Sequence, residues 1–360
     1  MGNEVLFVGP GEDEASGRVG GITLPFRELE LYLLDKPQFE DRFSFIHLSG
    51  SNRLSLFLCY LLAGIKVIFD TRFHSISLHC TYRSMIFFAP FLLTANIIFG
   101  KSYTLRKFAG NFDHLFEGGN LVSKYLLSHL MSRASITFFE TKYLVEWGEN
   151  KEIPVGWWPN SRNLPLEKFQ WQVQSDIPVV GQQTRRPKLI YIGTVSKEKG
   201  AFRLKALAKN IEEVDIIMYG PATNFVVKEL LKDAPLNLIY KGKLDHGDVS
   251  KTIYNADALL LPSSWPAEGY PGVMIEAAQV GTPVICSHAR GPKELINSIT
   301  GLGSAANFDS FSEIRRLLPE VIVQGSIQER QKLVERAKIF DTENVLPSVL
   351  SRIFKDAHLC

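Results

Sequence analysis

The sequence predicts an α/β fold in which the strands of parallel sheets alternate with helices. Short apolar runs, rich in β-branched and aromatic residues, recur along the 360 residues, and helical segments separate them. This alternation is typical of parallel sheets covered by helices on both faces. A chain of this length suits two domains. A polar, glutamine-rich stretch without a hydrophobic period, residues 164–187, divides the runs into two groups.

The predicted strands follow from these runs in chain order. The first group comprises residues 5–8, 43–48, 66–69, 103–105, 136–139 and 155–158. The second group comprises residues 189–192, 216–219, 238–240, 258–261 and 284–286. We therefore expect a first domain over residues 1–165, a linker over 166–187, a second domain over 188–335 and a C-terminal helix over 336–360.

Two longer apolar stretches, residues 54–69 and 85–99, need a separate interpretation. Each is shorter than the ~20 apolar residues of a membrane-spanning helix and is interrupted by polar residues or proline. We expect both to be buried as helix and strand of the first domain. The N-terminus lacks the basic region of a signal peptide, so a cytoplasmic protein is expected.

Composition and motifs exclude several classes of protein. The net charge of +2 gives no case for nucleic-acid binding. The four cysteines, Cys59, Cys80, Cys286 and Cys360, have neither metal-binding nor disulfide spacing, which fits a reducing compartment. The chain has no Asp-x-Asp and no Gly-x-x-x-x-Gly-Lys-Ser/Thr sequence, so we expect no metal site and no P-loop.

Residues 268–276, Glu-Gly-Tyr-Pro-Gly-Val-Met-Ile-Glu, are the most informative segment. Glu268 lies in a Gly/Pro-rich loop and Glu276 opens an Ala-Ala helix, with a buried run before this segment and another after it. In a parallel sheet this order places the loop at the carboxyl edge, where open α/β sheets bind ligands. Helix N-terminal amides can face an anion there, and both carboxylates can accept hydrogen bonds from sugar hydroxyls. The alternative is a solvated helix with two exposed glutamates.

This segment resembles the E-x7-E signature of the retaining glycosyltransferases of family 4, within glycosyl transferases group 1. The flanking Leu-Pro-Ser, Glu-Ala-Ala and Gly-Thr-Pro-Val sequences agree with that pattern. The resemblance covers residues 188–300 well and the first domain loosely. It implies the GT-B fold, with two Rossmann-like domains facing each other across a cleft. The first would bind the acceptor, the second the nucleotide sugar, and the C-terminal helix would cross back to the first.

The resemblance also implies roles for individual residues. Glu268 would position the donor sugar, Glu276 would hold the ribose hydroxyls, and Lys199 matches the lysine that neutralises the diphosphate leaving group. Glu268 and Lys199 are thus the predicted catalytic residues. The other predicted nucleotide-sugar contacts lie in loops and at strand ends: Gly20, Gly21, Gly193, Thr194, Gly220, Gly242, Gly269, Tyr270, Pro271, Gly272 and Val273.

The sequence departs from the family pattern at two places. Thr194 stands where an arginine is usual. Either Thr194 supplies only a hydroxyl, or Arg18, Lys197 or Arg203 supplies the missing cation, or the protein is weakly active. In the first domain the usual histidine is absent near Arg106 and Gly110, which become the candidate acceptor contacts. Three first-domain histidines are further candidates, and none is preferred: His47, His79 and His114.

The resemblance, together with the missing Asp-x-Asp, therefore implies a metal-independent, retaining hexosyltransferase that needs no cofactor. Its substrates would be a UDP- or GDP-sugar and a saccharide or lipid-linked saccharide, in bacterial lipopolysaccharide, O-antigen or capsule synthesis. With a lipid-linked acceptor, peripheral contact with the inner membrane face is expected. The alternatives are a sugar-nucleotide epimerase of GT-B-like fold, a non-catalytic partner subunit and a nucleotide-sugar-binding regulator.

Overall fold

A computed structural model describes residues 4–11, 21–163, 185–324 and 326–356. The chain divides into two compact units. One contains the chain up to Ser161 together with the segment from Thr342 onward, and the other runs from Arg162 to Asp341. Most of the expected linker, and both Arg18 and Gly20, lie outside the described residues.

The first unit is built on a six-stranded parallel sheet. Its strands are β1 (Glu4–Pro10), β2 (Phe43–Leu48), β3 (Phe73–Cys80), β4 (Ser102–Lys107), β5 (Ile136–Phe139) and β6 (Val155–Trp157). They lie in the order β2-β1-β3-β4-β5-β6. The strand order reverses at β1, as in Rossmann-like sheets.

Seven α-helices of the described chain belong to this first unit. They are α1 (Thr23–Leu34), α2 (Arg53–Phe69), α3 (Tyr82–Phe99), α4 (Phe112–Glu117), α5 (Leu121–Arg133), α6 (Lys142–Glu149) and α14 (Thr342–Asp356). Although α14 ends the described chain, its Val349 and Ile353 pack with Val5 and Phe7 of β1 in one hydrophobic cluster. The C-terminal helix thus completes the core of the first unit.

The strand predicted at residues 66–69 is wrong, because these residues are the last turn of α2. Asn52 begins that helix with a capping box: its side chain accepts from the Ser55 amide at 2.9 Å, and the Ser55 hydroxyl accepts from the Asn52 amide at 3.1 Å. The strand next to β1 is β3 instead. Polar residues alternate along this strand at Ser75, Ser77 and His79, so the sequence shows no continuous apolar run there, although all three side chains are buried.

The expected burial of both long apolar stretches is correct for one face of each helix only. Met85, Phe88 and Leu92 of α3 have no exposed surface, and a Thr81–Ser84 capping box begins the helix. By length and composition alone, α3 is the one helix among the described residues that could cross a membrane, with 39% of it buried. The other face of α2 is exposed.

The second unit contains another six-stranded parallel sheet. Its strands are β7 (Lys188–Ile192), β8 (Asp215–Tyr219), β9 (Leu238–Tyr240), β10 (Ala258–Leu261), β11 (Val284–Cys286) and β12 (Gly303–Ala305). They lie in the order β12-β11-β10-β7-β8-β9. The sixth, β12, is not predicted, because a Gly-Ser-Ala sequence carries no apolar signal.

The helices described in this second unit alternate with its strands up to α12, and α13 follows. They are α7 (Ala201–Asn210), α8 (Asn224–Leu231), α9 (His246–Tyr254), α10 (Gly272–Gln279), α11 (Arg290–Ser298), α12 (Phe311–Gln324) and α13 (Ile327–Ala337). The strand order reverses between β7 and β10. That switch point is where sheets of this kind bind ligands, and both loops that the sequence singles out follow these two strands.

Candidate functional site

The two loops at the switch point of the second sheet pack tightly against each other. The first follows β7 and ends at Gly200, where φ is 82°. A Cβ on Gly200 would lie 2.4 Å from the Pro262 carbonyl oxygen in the loop after β10, so only glycine fits. The Ser264 amide donates to the Glu198 carbonyl at 3.0 Å and joins the loops a second time. Residues far apart in sequence thus share one sheet edge.

This packing brings the two predicted catalytic residues into contact. Lys199 Nζ lies 2.7 Å from Glu268 Oε2, and the Ser263 hydroxyl donates to the same oxygen at 2.6 Å. The ammonium group also lies 5.8 Å from the centroid of the Trp265 ring. The Lys199 side chain keeps 30% of its surface exposed, against 13% for Glu268. The pair therefore holds a cation in a fixed position that an anion can still reach.

The second carboxylate of the motif is held by an arginine that the sequence analysis missed. Arg162 Nε donates to Glu276 Oε1 at 2.8 Å, and both side chains are largely buried. Glu276 is the fifth residue of α10, so it lies in the second turn of the helix and does not open it as expected. A Cβ on Gly272 would lie 1.8 Å from Arg162 Nη2. Glycine at the first helical position thus makes room for the guanidinium.

The backbone of Arg162 is fixed as firmly as its side chain. Its amide donates to the Phe340 carbonyl at 3.1 Å, and its carbonyl accepts from Gln279 Nε2 at 3.0 Å. Gln279 lies on α10, so the arginine and the helix that carries Glu276 are held together at two points. No local pattern around residue 162 predicts this contact, because the pair is 114 residues apart in sequence.

The loop between the two glutamates contains a packed side chain and, where α10 begins, backbone amides without intrahelical partners. Tyr270 is buried, donates its hydroxyl to Glu294 and packs edge-on against Phe340. Its side chain therefore supports the loop from beneath. The Gly269 carbonyl oxygen would lie 2.1 Å from a Cβ on Gly291, so α11 also approaches closely. Pro271 precedes the helix, and Gly272 and Val273 begin it, where backbone amides lack intrahelical partners.

Three predicted glycines hold the neighbouring strand ends side by side. The Gly193 amide donates to the Tyr219 carbonyl at 3.0 Å, and the Gly220 amide donates to the Gly242 carbonyl at 2.8 Å. Gly220 has φ of 138°, and a Cβ there would lie 1.8 Å from the Gly193 carbonyl oxygen. The ends of β7, β8 and β9 therefore form a continuous backbone surface that side chains at these positions would disrupt.

Thr194 and Lys197 lie in the loop after β7, and Arg203 lies in the first turn of α7. The Thr194 side chain is exposed, while its carbonyl accepts from the Tyr191 hydroxyl at 2.7 Å. Burial raises the pKa of Tyr191, so this donor stays protonated. Lys197 Nζ lies 3.5 Å from Glu229, and Arg203 Nε lies 3.3 Å from Asp309. Both described candidate cations thus have acidic partners.

In the first unit the predicted acceptor contacts lie in a packed environment. Arg106 is 3% exposed, with its guanidinium carbon 4.0 Å from the Trp158 ring centroid and 4.9 Å from that of Phe108. The Gly110 carbonyl accepts from the Tyr143 hydroxyl. Gly21, with φ of 61°, is exposed, and a Cβ there would meet nothing within 4 Å. Gly21 is therefore the more open of these first-unit positions.

The three first-domain histidines are placed differently. His79 is buried beside Arg106 and Trp158. Burial, and secondarily the Arg106 charge, lower the pKa of His79 well below its usual value. His47 Nε2 lies 3.1 Å from Glu30 near the surface, and His114 is exposed. His79 is therefore a neutral core residue. In the described parts of the chain, no three His, Cys, Asp or Glu side chains are grouped so as to hold a metal ion.

Comparisons with known proteins bear on the second unit in particular. The family model described as "Glycosyl transferases group 1" matches residues 173–340. Glycogen synthase of Mycobacterium tuberculosis is 31% identical over 134 residues, which are 34% of this chain and 32% of that enzyme. An uncharacterized 41.2 kDa protein in the cps region of Klebsiella pneumoniae is 24% identical over 139 residues, 38% of this chain and 37% of that protein. The chain thus spans about a third of the length of these relatives.

The fold is shared over nearly the whole chain. The crystal structure of Anabaena HepE in complex with UDP superposes with a TM-score of 0.68, covering 98% of this chain and 100% of that one, at 16% sequence identity. At this identity the likeness shows the fold alone.

Proposed function

The chain belongs, through residues 173–340, to the glycosyl transferases group 1 family and has the GT-B fold, and we propose from this premise that it is a retaining glycosyltransferase. It moves a sugar from a nucleotide-sugar donor to a saccharide or lipid-linked saccharide acceptor. The observation that carries the proposal is the 2.7 Å contact between Lys199 and Glu268 at the switch-point edge of the second sheet.

In the proposed reaction, Lys199 stabilises the leaving group. The glycosidic bond to the nucleoside diphosphate breaks, and negative charge grows on the departing oxygen. A pre-positioned ammonium lowers the barrier because it needs no reorganisation at that moment. Glu268 holds the ammonium in place and accepts hydrogen bonds from the donor sugar. The acceptor attacks from the face that the diphosphate leaves, and a diphosphate oxygen takes the acceptor proton, so no side-chain base is required.

Glu276 holds the ribose in the same proposal. A carboxylate offers about four lone-pair positions, so Glu276 can accept from the Arg162 guanidinium and from ribose hydroxyls together. Arg162 is then a positioning residue, since it fixes the orientation of the carboxylate. The amides at the start of α10 supply further donors to the diphosphate. These groups together make a metal ion unnecessary for leaving-group stabilisation.

The comparisons and the sequence support the proposed donor and acceptor classes. HepE binds UDP in its crystal structure, which supports a UDP-sugar as the first donor to test, with a GDP-sugar as the second. A relative named for a cps region supports a role in bacterial surface-polysaccharide assembly, either lipopolysaccharide, O-antigen or capsule. We place the enzyme in the cytoplasm, in peripheral contact with the inner membrane, where a lipid-linked acceptor is located.

A thermal-shift screen with UDP- and GDP-sugars, followed by hydrolysis of the best binder, tests this proposal. A donor at 100 times its Kd stabilises the folded state by ~2.7 kcal/mol, and the same donor is then hydrolysed slowly without an acceptor. If no nucleotide sugar raises the midpoint of unfolding, the proposed function is wrong.

The non-catalytic partner subunit is the second candidate, because Thr194 replaces the usual arginine. The variant Thr194→Arg distinguishes an active enzyme from a non-catalytic partner subunit. In an active enzyme, hydrolysis by this variant is unchanged or mildly faster, since a cation is restored beside Lys199. If the wild type binds donor without turning it over, and Thr194→Arg alone confers turnover, the natural protein is the partner subunit. The family match does not favour an epimerase.

A further inference from the structure

The solvent-facing side of α2 is apolar, which is the reverse of what an outer helix of a Rossmann-like unit needs. Leu54, Leu58, Leu62, Ile65 and Phe69 follow the spacing of one helical face. Between 43% and 68% of each of these residues is exposed. The opposite side of the helix is buried in the hydrophobic core of the first unit, through Ala63 and Val67. The helix therefore presents apolar residues both inward and outward.

The last turn of α3 continues this exposed surface. Ile97, Ile98 and Phe99 are 57%, 68% and 48% exposed, and the rings of Phe69 and Phe99 lie 5.9 Å apart. We call the five α2 residues and these three the apolar face. An exposed apolar surface that is contiguous across two helices marks an interaction site.

The charged residues of α2 and α3 have one sign. Neither α2 nor α3 contains an acidic residue. Arg53 begins α2, Lys66 follows Ile65, and Arg83 lies in the first turn of α3. Asp70, which follows α2 in the chain, is paired with Arg72 at 2.7 Å. An apolar surface flanked by basic residues is typical of proteins that bind the surface of anionic membranes.

We propose that the apolar face docks the first unit on the surface of an anionic lipid bilayer. The leucines and phenylalanines enter the boundary between headgroups and acyl chains, and the arginines and lysine contact lipid phosphates. A second copy of this chain fits less well, because its basic residues would repel those of the first. The inference rests on the proposed function in one respect, since a bilayer is where a lipid-linked acceptor is presented.

Co-sedimentation with vesicles tests the inference. The wild type should bind vesicles of phosphatidylcholine mixed with phosphatidylglycerol, and bind phosphatidylcholine alone far more weakly. Leu62→Glu should weaken binding to the mixed vesicles at least ~10-fold, because a side chain leaves the acyl boundary and a like charge meets the lipid. The matched control is Leu236→Glu, which alters a fully exposed leucine of the second unit and should bind as the wild type does.

A second variant tests the charge contribution. Replacing Arg53 and Arg83 together by glutamine should lower binding to mixed vesicles and leave the weak binding to phosphatidylcholine unchanged. The inference is overturned if Leu62→Glu and the wild type sediment equally. It is also overturned if the wild type ignores vesicles and is a dimer by light scattering that Leu62→Glu converts to a monomer, since the face then joins two copies.

Donor hydrolysis without vesicles keeps the two proposals apart. Leu62 is 64% exposed, so Leu62→Glu should hydrolyse a soluble nucleotide sugar at the wild-type rate. If neither the wild type nor any variant hydrolyses the donor, the proposed function is contradicted, but the vesicle-binding result can still be interpreted. Normal hydrolysis without vesicle binding contradicts the docking surface alone.

Discussion

The two sheets of this protein have the same architecture but differ in what their carboxyl edges hold. Each has six parallel strands with a reversal of strand order. The second sheet gathers charged pairs and glycines at that edge, with Lys199 paired to Glu268 and still 30% exposed. At the first sheet Arg106 is almost fully buried between aromatic rings.

This difference separates residues that can respond to a ligand from residues that maintain the fold. An ammonium that is paired yet accessible can meet a diphosphate with only side-chain adjustment. A guanidinium stacked on Trp158 must leave its packing first, which costs stability. We therefore expect substitutions at the second edge to change binding and rate, and substitutions at Arg106 or His79 to change the free energy of unfolding.

The largest effect should come from Lys199→Ala. Removing one group that stabilises developing negative charge typically costs ~10²–10³ in rate, and with Thr194 in place of an arginine the loss should reach at least that range. Donor hydrolysis measures it. Lys209→Ala is the matched control, since Lys209 is an exposed lysine in the last turn of α7 and has no proposed role at the site. A Lys199→Ala rate within twofold of the wild type would refute the proposed role.

Glu276→Ala should weaken nucleotide-sugar binding by ~1.5–3 kcal/mol, because hydrogen bonds to a charged group are lost. Titration calorimetry with the nucleotide sugar measures the change in Kd. Glu276→Gln keeps the shape and part of the hydrogen bonding, so its Kd should fall between those of the wild type and Glu276→Ala. An unchanged Kd in Glu276→Ala contradicts the ribose assignment.

His79 should make the first unit sensitive to acid. Its pKa in the folded state lies well below the usual value of 6.5, so below about that pH the unfolded chain binds a proton that the folded chain does not. The free energy of unfolding therefore falls as the pH falls, by up to ~1.4 kcal/mol per pH unit. Chemical denaturation at several pH values should show a shallower decline for His79→Gln. Parallel declines would contradict this origin.

The smallest effect should be that of metal removal. If Lys199 and the amides of α10 stabilise the leaving group, EDTA should leave donor hydrolysis within experimental error of the untreated rate. Complete loss of activity that Mg²⁺ or Mn²⁺ restores would show that a metal ion holds the diphosphate.

The sequence predicted most strands because a buried parallel strand is a short apolar run. It misplaced the strand next to β1, since β3 alternates Ser75, Ser77 and His79, while the more apolar residues 66–69 extend a capped helix. It also took the hydrophobicity of residues 54–69 as a sign of burial. Only the fold shows that one side of that helix is exposed to solvent.

The site residues Glu268 and Glu276 can be predicted from the sequence, because their spacing and flanking residues lie within one continuous segment. Lys199 can be predicted for the same reason. Arg162 cannot, because its contact with Glu276 joins residues that are 114 positions apart and forms only in the folded chain. Nor does a motif report that Arg106 is buried, since burial is decided by Trp158 and other distant residues.

One paired comparison tests the contrast between the two edges most directly: the ratio of donor hydrolysis rate to folded protein, with the folded fraction taken from denaturant unfolding, for Lys199→Ala and Arg106→Ala. Hydrolysis needs no acceptor, so it does not depend on acceptor binding at Arg106. We predict that Lys199→Ala loses ~10²-fold or more in rate with an unchanged free energy of unfolding. Arg106→Ala should lose about 2 kcal/mol or more of stability and keep the wild-type rate per folded molecule. The reverse result, with Arg106→Ala inactive but stable and Lys199→Ala active, would contradict the account.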